Sequence, residues 1–124
     1  MASVLIVDDE EDIAIPLRQY LVDGGFDAVS FTCPLLAFEH FRHNPYVYSI
    51  IITDLRMPGM NGLELANRIR KINDATKIFI ITAFDPSDLE SKPEYRQARI
   101  ERVVQKPIKL SQLKKMVEQV LQTP

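Results

Sequence analysis

Residues Tyr48 to Gly62 read YSIIITDLRMPGMNG. An unbroken apolar run, Ile50 to Ile52, is followed by a carboxylate at Asp54 and then by Pro58, Gly59, Asn61 and Gly62, which are residues of turns. Three successive isoleucines without alternation mark a strand covered on both faces, the habit of parallel sheets in α/β proteins. Asp54 then stands at the carboxyl edge of that sheet, where open α/β folds place their ligands.

The same alternation of elements extends outward in both directions. Toward the N-terminus, Val4 to Val7 is a short apolar strand, and Ile13, Leu17, Tyr20 and Leu21 recur at helical spacing until Gly24 and Gly25. Phe26 to Phe31 is rich in strand formers, and Pro34 to His43 can be helical with Ala37, Phe38 and Phe41 inward. After the turn, Asn61 can cap a helix with Glu64 three residues on and Leu65, Ala66, Ile69 and Ile72 as its buried stripe. Lys77 to Thr82 is the next strand. Asp85 before Pro86, with Asp88 in the first turn, starts a fourth helix that Pro93 should break or bend. A short strand at Arg102 to Gln105 precedes a last helix capped by Ser111, with Leu113, Met116, Val117, Val120 and Leu121 inward. Five strands alternating with five helices require right-handed crossovers, and so a parallel sheet between two helical layers.

Length and composition agree with that class. The 124 residues, 46% hydrophobic, suit a single domain spanning 1–124. The one cysteine, Cys33, has no partner for an internal disulfide, and no apolar run approaches the roughly 18 residues of a membrane helix. The opening MASVLIV lacks the features of a secretory signal, so a cytoplasmic location is expected, with no membrane partner. Residues 1–32 carry seven acids against Arg18, while residues 92–124 carry eight bases against three acids. Those bases lack the aromatic interleaving and the strongly basic total of a phosphate-backbone binder, so direct nucleic-acid binding is not expected.

The strand ends carry the chemistry. Asp8 and Asp9 follow the first strand and Asp54 the third, and if these strands are neighbours the three carboxylates converge in one crevice. Their repulsion calls for a hard cation, and Mg2+ suits the oxygen ligands better than zinc, since no Cys or His is placed to join. Thr82 closes the fourth strand with a hydroxyl, and Lys106, before Pro107, closes the fifth with an ammonium. Cation, hydroxyl and ammonium make a cradle for a phosphoryl group, and an aspartate can be the nucleophile that receives it. Asp54, alone on its strand end opposite Thr82 and Lys106, is the candidate for that role. Taken singly, each of these residues has a plainer reading. Glu10, Glu11 and Asp12 are read as helix-initiating acids, His40 and His43 as solvated or packed, and Met57 and Met60 as turn packing.

VDDEED at the first strand end, DLRMPGMNG at the third, ITA at the fourth and QKPI at the fifth resemble the receiver domain of two-component response regulators. The resemblance covers essentially the whole chain. It implies a flavodoxin-like (βα)5 sandwich with strand order 2-1-3-4-5, and phosphoryl transfer from a sensor histidine kinase or phosphotransfer protein to Asp54. It further implies that Asp9 binds Mg2+ directly, Asp8 largely through water, and the backbone carbonyl of Arg56 as a further ligand. Thr82 and Lys106 would hold the phosphoryl oxygens, with the Lys106–Pro107 peptide cis. The implied partners are that donor and a downstream output protein or domain, with a homodimer left open. The chain would catalyse its own phosphorylation and dephosphorylation without an independent substrate.

One departure stands out. Three residues before the lysine, family members usually carry Tyr or Phe, and here the position is Val103. The signal is therefore expected to pass through backbone movement of the Thr82 to Ile100 segment. Arg56 and Phe84 flank the site and are expected to set phosphate lifetime, while small Ala83 leaves the pocket open. Two other readings compete: a pseudo-receiver that binds partners without taking phosphate, which Val103 and the irregular fourth helix keep open, and a magnesium phosphohydrolase. The second is disfavoured because Leu55 and Arg56, not a second acid, follow the nucleophile.

Overall fold

A computed structural model describes residues 3–122. Met1, Ala2, Thr123 and Pro124, which belong to the expected 1–124 unit and to the reading of the N-terminus, lie outside the described residues. Five strands, β1 (Ser3–Val7), β2 (Asp27–Phe31), β3 (Ile50–Asp54), β4 (Lys77–Thr82) and β5 (Arg102–Gln105), form one sheet in the order β2-β1-β3-β4-β5. Every neighbouring pair is parallel. The flavodoxin-like order implied by the resemblance is the observed one.

Helices α1 (Glu11–Asp23), α2 (Pro34–His43), α3 (Gly62–Arg70) and α6 (Leu110–Gln122) pack on the two faces. Successive strand residues point to opposite faces. Val4, Ile6, Ile50, Ile52, Phe79 and Ile81 therefore meet Ala14, Leu17 and Leu21 of α1 and Leu113 and Val117 of α6. Leu5, Val7, Ile51 and Ile78 meet Ala37 and Phe41 of α2 and Leu65, Ala66 and Ile69 of α3. Both parities of β1, β3 and β4 are thus core positions, which is why these strands read as continuous apolar runs. The edge strands β2 and β5 are only half-buried.

Three local expectations are corrected. The fourth helix is two short ones, α4 (Pro86–Glu90) and α5 (Pro93–Ala98), so the described residues hold six helices, not five. Pro93 has no N–H to continue α4, and it forces the preceding Lys92 into extended backbone (φ −83°, ψ 138°). Ser111 does not cap the last helix. Leu110 already opens α6, and Lys109 takes the flanking position, its carbonyl accepting from the N–H groups of Gln112 and Leu113. Tyr20 is on the exposed side of α1, and Ala14 takes the inward place. The other caps form as read: Asn61 Oδ1 accepts from the Glu64 N–H at 2.9 Å, and Asp85 Oδ1 from the Ser87 N–H at 2.9 Å.

Candidate functional site

Asp8, Asp54 and Thr82 are delivered by the ends of buried strands, and Lys106 by the end of the edge strand β5. Asp8 follows β1; its N–H donates to the Phe31 carbonyl at 3.1 Å, and its Oδ1 accepts from the Glu10 N–H at 2.9 Å, turning the chain into α1. Asp54 ends β3 opposite Ile81 of β4, and its Oδ1 accepts from the Leu55 N–H at 3.0 Å. Thr82 ends β4, with its Oγ1 accepting from the Phe84 N–H at 3.0 Å, so its hydroxyl hydrogen is left to donate elsewhere. The Lys106 N–H donates to the Thr82 carbonyl at 2.8 Å, and the Lys106–Pro107 bond is cis.

β1 and β3 are neighbours, and the carboxylates converge as their strand-end positions require. Asp8, Asp9, Glu10 and Asp54 each present a carboxylate oxygen, all within 4.8 Å of one another. Lys106 Nζ lies 3.5 Å from Asp8 Oδ2, 3.5 Å from Asp54 Oδ1 and 3.5 Å from Glu10 Oε1. Asp8, Asp54 and Thr82 are buried, and Asp9 and Glu10 are exposed. Burial, reinforced by the Asp8 charge, pushes the Asp54 carboxyl up to about 6, even though Lys106 and the Leu55 N–H pull it down. Asp8 is raised as well, chiefly by burial. Burial alone would depress Lys106, but Asp8, Asp54 and Glu10 together hold it above the usual lysine range.

One ammonium does not balance four carboxylates. Asp8 Oδ2 is buried without a hydrogen-bond partner, Lys106 being its ion-pair neighbour only. Lone pairs left unbonded beside clustered carboxylate oxygens fit a hard divalent cation such as Mg2+.

The mouth of the site is a cavity of about 140 Å³ lined by Glu10, Asp54, Arg56, Thr82, Ala83, Phe84 and Lys106. Arg56 places its guanidinium over the Phe84 ring, 4.2 Å from the centroid. Glu10 is the residue whose reach the sequence hid. It occupies the flanking position of α1 but makes no capping bond, and its side chain turns to Lys106 instead. Only its adjacency to Asp8 and Asp9 hinted at this. His40 and His43 lie away from the cluster. His40 Nε2 pairs with the Tyr48 hydroxyl at 2.6 Å and its ring packs on Phe31, whereas exposed His43 pairs with Glu39. Met57 and Met60 are buried in the core, as read.

Residues 4–118 match the response regulator receiver domain family. The chain belongs to that family. As a receiver domain it is 31% identical to the response regulator receiver protein CpdR of Brucella abortus, covering 98% of both chains. It is 34% identical to the regulatory protein VanRB of Enterococcus faecalis over 95% of its own length, which is 51% of that protein, about half. Among solved structures, the receiver domain superposes with a TM-score of 0.82 on the Thermotoga maritima response regulator TrrA in complex with Mg2+-BeF. The two are 30% identical, and the match covers 97% of this chain and 99% of that one. No helix among the described residues is long and apolar enough to cross a membrane.

Proposed function

We propose that this receiver domain is a phosphorylation switch in which Asp54 accepts a phosphoryl group from the phosphohistidine of a sensor kinase or phosphotransfer protein. The observation that carries the reading is the shared position of Lys106, equidistant from the carboxylates of Asp8 and Asp54. An Asp54 oxygen attacks phosphorus in line; the P–O bond forms as the donor P–N bond breaks, and the bonding pair leaves with the histidine nitrogen, which takes a proton from solvent. The Thr82 hydroxyl and the Lys106 ammonium bind the phosphoryl oxygens and stabilise the charge that spreads over them. Asp8, Asp9, Asp54 and the Arg56 carbonyl are the residues that would hold Mg2+, which when bound supplies charge neutralisation at those oxygens. In the reverse direction water attacks phosphorus, the bond to Asp54 breaks, the carboxylate returns and inorganic phosphate leaves.

In this reading residues 1–124 act as one receiver unit in the cytoplasm, passing the signal to an output protein or domain. The T. maritima relative bound to Mg2+-BeF supports the cation and the phosphoryl site. A pseudo-receiver is not favoured, because such a module has no use for a Lys106 ammonium 3.5 Å from Asp54 Oδ1 in a pocket shared with the buried Thr82. Incubating the chain with acetyl phosphate and Mg2+ tests the proposal by intact mass. One phosphoryl adduct, mapped to Asp54 and absent from Asp54→Asn, is the expected result; an unmodified Asp54 would reject it.

A further inference from the structure

The segment between β4 and β5 is fastened very unevenly. Asn67 of α3 donates to the Glu94 carbonyl at 3.0 Å, in the first turn of α5. At the other end of α5, Arg70 donates through Nε to the Ala98 carbonyl at 2.7 Å and through Nη2 to the Arg99 carbonyl at 3.1 Å. Its Nη1 reaches the carbonyls of Thr76 and Asp74. Arg99, left-handed at φ 50°, closes the clamp with an ion pair to Asp74. Ala98 is fully buried against α3.

Among the described residues no such clamp of side chain to backbone is seen on α4, which is held by the packing of Leu89 against Leu63 and Ile80. Its cap is internal, Asp85 to Ser87, and Leu89 is its one buried side chain. Beside it lies a cavity of about 90 Å³ whose lining includes Leu55, Arg56, Thr82, Phe84, Asp85 and Leu89. Arg56, Thr82 and Phe84 also line the mouth of the acceptor pocket. A change at Thr82 therefore meets Phe84 through one hydrogen bond and then a short helix with room beside it; extended Lys92 before Pro93 interrupts the helical backbone between α4 and α5, which still share one apolar cluster through Leu89 and Tyr95.

We infer that the response to phosphorylation is confined to residues 83–92, with α5 held as a fixed part of α3 and Arg70 the positioning residue that stops the movement at Pro93. The inference rests on the phosphoacceptor reading above and narrows the segment expected from the sequence. Arg suits the role because its planar fork can hold several carbonyls at once, which a lysine ammonium on a flexible stem does not.

Backbone amide spectra of the full chain, with and without beryllofluoride and Mg2+, test it. A shifted Leu55 amide reports occupancy at Asp54; an unmoved one overturns the acceptor reading and this inference with it. With Leu55 shifted, the amides of 84–92 are expected to move and those of 94–99 to stay. In Arg70→Ala or Arg70→Lys the α5 amides should join the response. Comparable shifts in 94–99 of the wild type, or an unchanged pattern in the variants, overturn the inference alone. Should Arg70→Ala not fold, Asn67→Ala is read at residues 94–96, where a wild-type pattern counts equally against it.

Discussion

Lys106 Nζ stands 3.5 Å from Asp54 Oδ1, and its positive charge pulls the Asp54 carboxyl down against burial and the Asp8 charge. Removing it leaves the buried carboxylates of Asp8 and Asp54 facing each other without compensation, so the Asp54 carboxyl rises above about 6 and less of it is nucleophilic at neutral pH. Lys106→Met should slow Mg2+-dependent phosphorylation by acetyl phosphate by about 100-fold, the usual order for loss of one preorganised charge-stabilising donor. Intact-mass time courses measure this, and a variant within twofold of wild type would contradict it.

The raised carboxyl of Asp54 also fixes how stability varies with pH in the metal-free protein. Its folded value, about 6, lies above the ordinary 3.8, so the folded state holds this proton more tightly than the unfolded chain. The stabilisation is complete below the unfolded value and is lost as pH rises through about 6. Asp8, raised as well, acts in the same sense. Urea titrations in EDTA should therefore give a lower unfolding free energy at pH 7 than at pH 5. Asp54→Asn, which removes the charge, should be more stable than wild type at pH 7 by on the order of 1–3 kcal/mol. A wild type equal to the variant at both pH values would argue against a desolvated Asp54.

What the sequence disclosed and what it hid follow from the kind of contact involved. β1, β3 and β4 were legible because burial on both faces leaves an apolar run, and Asp8, Asp54, Thr82 and Lys106 because each immediately follows or ends such a run or its edge partner. Their convergence needed only the strand order. Glu10, Asn67 and Arg70 were hidden because each sits in a helical register that looks solvated, and its partners lie far along the chain: Lys106, Glu94, Ala98 and Arg99. The division of the fourth helix was half-visible, since Pro93 marks the break but says nothing of α5 resuming as a helix docked on α3.

Gly62 makes the close approach of α3 to the end of β3 possible. A Cβ at this position would overlap the Asp54 carbonyl oxygen and stand 3.1 Å from Leu55 Cα, both backbone atoms with no free end to swing aside. Gly62→Ala should cost about 1–3 kcal/mol of stability, as overpacking does, and should displace Asp54 enough to slow phosphorylation. Gly59→Ala is the control. There φ is +87° and the nearest side chain leaves ordinary contact distance, so strain of roughly 1 kcal/mol is expected, with phosphorylation little changed. Denaturant midpoints and phosphorylation rates of the two variants separate the effects, and equal losses of rate would refute the assignment.

The Arg56 guanidinium over the Phe84 ring lines one side of the cavity at Asp54, and both groups also border the space beside α4. This pair is expected to narrow the approach of water to a phosphoryl group on Asp54. Arg56→Ala and Phe84→Ala should each shorten the half-life of the phosphorylated form severalfold. Because each removes the same contact, the double variant should fall short of the sum, with a coupling of about 0.5–1 kcal/mol, the range for an exposed cation–π pair. Dephosphorylation is followed by mass after the donor is removed. Unchanged half-lives would show that the pair does not gate water, and strict additivity would show that it does so as two independent groups.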